Sequence, residues 1–137
     1  MSENQNPAIA RITNAEIVLE HFGYWPRFHD AAVAKVTFES NSGYWPLVSF
    51  VISAFEMTKE VDETGHYKLT KPCDLELNFI GVEEIEFDRF SHQNVLMSLD
   101  FEESGSFIKT TFDAAVGLDA VIFSEGVSVV SLTPTKR

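Results

Sequence analysis

Residues 73–79, CDLELNF, alternate without a break: Leu75, Leu77 and Phe79 hold one parity, Asp74, Glu76 and Asn78 the other. A period of two fits a half-buried β-strand and not a helix, because successive side chains leave a pleated strand on opposite faces. The theme returns at 84–88, where Ile85 and Phe87 oppose Glu84, Glu86 and Asp88. It returns again at 95–102, where Val95, Met97, Leu99 and Phe101 oppose Ser98, Asp100 and Glu102. Further strands are expected at 30–39, with Ala32, Ala34, Val36 and Phe38 inward, at 107–112, at 120–124 and at 127–132. Residues 47–57 are apolar on both parities apart from Ser49, Ser53 and Glu56, the pattern of a strand covered on both sides. SNSGYWP, KEVDETG and EESGS punctuate these segments as short turns, which favours antiparallel pairing. The expected fold is mainly β: an antiparallel sandwich or curled sheet of about seven to eight strands, with one short N-terminal helix.

That helix is expected over residues 14–22. Thr13 and Glu16 form a capping-box pattern, Ala15, Val18, Leu19 and Phe22 fall at helical spacing, and Gly23 suits the stop. Residues 1–12 read as a loose arm. With no linker, low-complexity tract or internal repeat, the 137 residues read as one domain. GYWP occurs at 23–26 and 43–46, but without matching flanks, and both copies suit turns.

Composition narrows the function. A net charge of −11 argues against nucleic-acid binding, which needs a basic footprint, and against an anionic membrane surface. No apolar run is long enough for a membrane-spanning helix, and the polar start lacks a secretion signal, so a soluble cytoplasmic protein is expected. One cysteine, Cys73, allows neither an internal disulfide nor a thiolate cluster, and it reads as a structural thiol. Nucleotide-binding loops, nucleophile elbows and zinc-protease motifs do not occur. His21, His29 and His92 lack ligand spacing; a site of two histidines with Asp30 would have to be assembled by the fold.

The least ordinary stretch is FGYWPRFHDAAV, residues 22–33. Counted back from Phe38, Asp30 falls on the apolar parity and His29 on the other, so the two should face opposite ways. A buried carboxylate needs partners. Asp30 therefore reads as an anchor tying the aromatic turn to the sheet, with an acid or base in a pocket as the functional alternative. A second constellation is acidic. Asp74, Glu76, Glu84, Glu86, Asp88, Asp100 and Glu102 all take outward parities, and if their strands are neighbours they make one acidic face suited to a basic partner. The plain alternative is an ordinary solvated surface.

FGYWPRFHDAAV resembles the FGxWPxFHDAEV opening of a family of small bacterial immunity proteins, family 50 in that series, found beside polymorphic toxin genes. Phe22, Gly23, Trp25, Pro26, Phe28, His29, Asp30, Ala31 and Val33 match the opening. FSHQNVLMSL at 90–99 is similar to a later F-x-x-Q-N-V element, matched at Gln93 and Asn94, and FIGV at 79–82 fits the strand before it. Ala32 stands where the family pattern has Glu, which puts any role for that carboxylate in doubt here. The resemblance spans residue 16 to the end. It implies a mainly β fold, no enzymatic activity, no cofactor, and binding of a cognate protein toxin; the charge suits a basic one. The competing reading is a small-molecule or metal-binding β domain with His29 and Asp30 lining a pocket. Exposed strand edges leave monomer and homodimer both open.

Overall fold

The structure, a computed structural model, describes residues 6–40, 46–61 and 63–135. Six antiparallel strands form a closed barrel: β1 (Ala32–Glu39), β2 (Leu47–Val61), β3 (Tyr67–Asp88), β4 (Val95–Ser104), β5 (Phe107–Val116) and β6 (Asp119–Pro134). Around the ring they run β1-β2-β3-β6-β5-β4, so two three-stranded meanders are joined by the β3–β6 ladder and by a short β1–β4 seam. At that seam, where Ala32 pairs with Val95, closure satisfies backbone groups that an open sheet would leave at its edges.

The expected mainly β, antiparallel fold is present. The strand count is lower because two pairs of expected segments are each one strand. Residues 74–79 and 84–88 run together through a register shift between Val82 and Glu84, and β6 continues through Gly126. Such bulges bend a strand without ending it, which curls a sheet into a barrel.

Alternation sets the core. Val48, Phe50, Ile52 and Ala54 of β2 face Leu75, Leu77 and Phe79 of β3 and Ala120, Ile122, Val127 and Val129 of β6 in the buried interior. Phe50 and Phe112 stack at 4.2 Å with Phe79 edge-on to both. The outer parity of β2 is not covered as expected: Val51 and Phe55 are half-buried and Met57 is exposed. β1 departs too. A register shift between Val33 and Lys35 changes its parity, so Val33 is buried and Ala34 is exposed. Val36, opposite Phe50, is half-buried, and Phe38, opposite Val48 at the strand end, is exposed and not inward as expected.

Two helices, not one, precede the barrel: α1 (Pro7–Ala10) and α2 (Ala15–Phe22). Asn6 caps α1 through its Oδ1, which accepts from Ala8 N–H at 2.9 Å, and its Nδ2 donates to the Phe101 carbonyl. Ala8 and Ile12 are buried, so residues 6–12 are packed rather than loose; 1–5 lie outside the described residues. α2 buries Ala15, Val18 and Phe22 as their spacing predicts. The capping box does not form. Thr13 N–H donates to Val127 O and Thr13 O accepts from Val129 N–H, both at 2.9 Å, so its backbone joins β6 and Asn14 takes the N-cap at φ +63°. Of the second GYWP, Gly43, Tyr44 and Trp45 lie outside the described residues.

Candidate functional site

The 22–33 stretch folds from the end of α2. Gly23 adopts φ +88° and donates its N–H to Leu19 O at 2.7 Å, a left-handed stop that a Cβ would oppose. The chain then buries Trp25, Pro26 and Phe28. Trp25 meets Phe28 and Phe101 edge-on at 6.0 and 5.7 Å, and Phe28 meets Phe22 at 6.3 Å. These contacts fasten the helix end to β4.

The backbone completes the seam. Asp30 N–H donates to Leu96 O, Leu96 N–H to Ala31 O, and Val33 N–H to Asn94 O, each at 2.8 Å. The stretches that carry the two family motifs therefore pair with each other, Val33 with Asn94 directly and Asp30 and Ala31 with the neighbouring Leu96, and together they close the barrel. Asp30 does this with its main chain at φ +68°. Its carboxylate does not point inward as expected: the side chain is 40% exposed and its Oδ2 lies 3.3 Å from His29 Nδ1. The strand begins only at Ala32, and the β1 bulge breaks the count back from Phe38. His29 and Asp30 thus stand together at the surface.

Asn94 fixes the other side of the seam. Residues 89–94 connect β3 to β4, which lie three positions apart around the ring by either route. Buried Asn94 accepts through Oδ1 from the N–H groups of Ser91 and Leu118, both at 3.0 Å, and donates through Nδ2 to Ser91 O at 2.7 Å. Gly117, at φ +83°, lets the β5–β6 turn approach: a Cβ there would collide with the Gln93 carbonyl and stand 2.5 Å from Asn94 Oδ1. The Gln93 side chain is exposed.

One network escaped the sequence. Tyr24 Oη donates to Glu56 Oε2 at 2.8 Å, Lys71 Nζ lies 3.4 Å from Glu56 Oε1, and Lys71 Nζ also donates to Phe22 O at 3.0 Å. Partial burial, with the hydrogen bond to Glu56 and its charge, pushes the Tyr24 phenol up to about 12. The Tyr24 hydroxyl, helped by the Lys71 ammonium, holds the Glu56 carboxyl below its usual range despite partial desolvation. Glu56 interrupts an apolar run, which was the available signal; its partners lie 32 and 15 residues away and were not.

The acidic residues do take outward positions, but not on one face. Asp74, Glu76, Glu84, Glu86 and Asp88 lie on β3, Asp100 and Glu102 on β4, and the ring order sets these strands on opposite sides. The expected single face is therefore two. All seven are exposed except Glu76, which is half-buried.

Among the described residues, no group of three His, Cys, Asp or Glu side chains stands close enough to hold a metal. His21 contacts the Lys71 carbonyl, and His92 is exposed. Cys73 is buried, and burial, followed by the charge of Asp74, pushes its thiol up to about 11, unsuited to a nucleophile. A cleft of about 300 Å³ borders His29 and Glu56, and another of about 430 Å³ borders Trp25 and Arg27. No helix of the described residues is long and apolar enough to cross a membrane.

Fold and motif together define a small closed β-barrel protein whose signature residues hold the barrel shut. The chain belongs to the immunity protein 50 family, whose family model matches residues 14–135. Comparison with curated proteins and with solved structures found no match.

Proposed function

We propose that the protein neutralises a cognate bacterial protein toxin by direct, stoichiometric binding in the cytoplasm, without catalysis or a cofactor. Family membership over residues 14–135 is the observation that carries this reading. The seam geometry supports it: the motif residues serve the scaffold, which leaves recognition to the surface. On that surface the β3 wall is the preferred docking face. Its outward carboxylates recur about 7 Å apart along the regular stretches of the strand. Such a row attracts a basic toxin, speeds encounter and sets its orientation.

Co-expression with a candidate toxin drawn from the neighbouring genes tests the reading. Rescue of growth and recovery of a complex are expected; a toxic cell and no complex would sink it. Reversing Glu84, Glu86 and Asp88 to Lys should slow association at least tenfold, whereas reversing Asp100 and Glu102 on the opposite wall should change it little. Unchanged binding after the β3 reversals would remove that wall as the interface.

A further inference from the structure

At the barrel mouth formed by the ends of β1 and β3, aromatic side chains are left partly uncovered. Phe38 is 54% exposed and Phe90 is 53% exposed. Phe38 meets Phe87 edge-on at 5.4 Å, and Phe87 lies 5.9 Å from Phe90. Beside them a cleft of about 340 Å³ is floored by Phe38, Val48, Val82 and Ile85. Glu39, Glu83 and Glu84 stand on its border, all exposed. Scattered exposed apolar residues are ordinary; an aromatic cluster next to an apolar cleft with a charged rim is the anatomy of an interaction site.

We infer that this cleft is the anchor point for the protein partner, and that it takes an apolar side chain flanked by lysine or arginine. The inference rests on the binding reading above and locates its centre. Charge selects the occupant. The apolar floor accepts an aliphatic or aromatic side chain, and neighbouring cations meet the three rim carboxylates or lie over the Phe38 and Phe90 rings. A second copy of this chain is a poor occupant, because it would bring the same carboxylates against the same rim.

A titration followed by NMR, using a short peptide of alternating lysine and leucine, tests the cleft itself. Amide shifts are expected at Phe38, Val48, Val82 and Ile85. Phe38→Ser, and separately Glu39→Lys with Glu83→Lys, should each weaken binding at least tenfold. A peptide with glutamate in place of lysine should not bind. Shifts confined to other surfaces, or none at millimolar peptide, would overturn the inference. The toxin supplies the second arm. If wild-type protein binds toxin and both cleft variants, folded by circular dichroism, release it at the parent rate, the cleft is not the anchor, although the binding function stands. If toxin does not bind at all, the functional reading fails, and the peptide result still decides what the cleft accepts.

Discussion

Asn94 Oδ1 accepts the backbone N–H of Leu118 at 3.0 Å, joining the β3–β4 connection to the β5–β6 turn. The same oxygen takes Ser91 N–H, and the Asn94 carbonyl takes Val33 N–H. One buried residue, through its side chain and its main-chain carbonyl, thus organises the place where the barrel closes. Asn94→Ala leaves the Leu118 amide buried without its partner, a loss of about 1–3 kcal/mol. Urea denaturation should show a lower midpoint with an unchanged slope. Asn94→Asp keeps an acceptor for Leu118 but sets a buried carboxylate oxygen against the Ser91 carbonyl, which Asn94 Nδ2 satisfies at 2.7 Å, so it should destabilise as well.

Gly117 is the steric counterpart of Asn94. Gly117→Ala combines a left-handed backbone at φ +83° with a collision at Gln93, and should destabilise by about 1–3 kcal/mol. Gly105→Ala, at φ +62° with open space around it, provides the control: it carries the backbone cost without the collision and should lose less. Equal losses would show that the close approach does not matter.

Asp30 separates side-chain from main-chain roles. Because its carboxylate is partly exposed and its backbone is left-handed, Asp30→Asn should change stability by less than about 0.5 kcal/mol. Asp30→Val places a β-branched residue in the same conformation and should cost about 1–2 kcal/mol. Equal large losses for both would restore the carboxylate as the anchor.

Tyr24→Phe removes the largest influence holding the Glu56 carboxyl low. A carboxyl depressed in the folded state stabilises above its unfolded pKa of about 4.3, and that contribution is lost as pH falls through the folded value. The variant should therefore melt below the parent at neutral pH, with the gap narrowing in acid. The phenol works in the opposite sense: its contribution is complete below about pH 10 and is lost as pH rises through about 12. Glu56→Gln should bring tyrosinate absorbance at Tyr24 to lower pH. A gap independent of pH would mean that the pair is not coupled to folding.

Much of this fold was legible because alternation is local. Leu75, Leu77 and Phe79 needed only their own spacing to be placed inside, and Val18, Phe22 and Gly23 needed only theirs to mark α2 and its stop. What was not legible depended on the partner strand. The β1 bulge moved Val33 inward and removed the basis for burying Asp30, because a single extra residue reverses parity. Alternation puts the acidic residues on the outward parity of their strands, but ring order decides whether β3 and β4 are neighbours. Thr13 looked like a cap until Val127 and Val129 claimed its backbone. The two motifs mark the family, yet neither motif alone discloses that their stretches hydrogen-bond to one another, Val33 to Asn94 and Asp30 to Leu96.

The proposed function is direct binding of a toxin by this barrel. Isothermal titration of the purified chain with a candidate toxin drawn from its neighbouring genes measures that claim most directly. A one-to-one complex is predicted, with a dissociation constant on the order of nanomolar that weakens as salt is raised. No heat of binding, with toxin activity undiminished at equal concentrations, would contradict it.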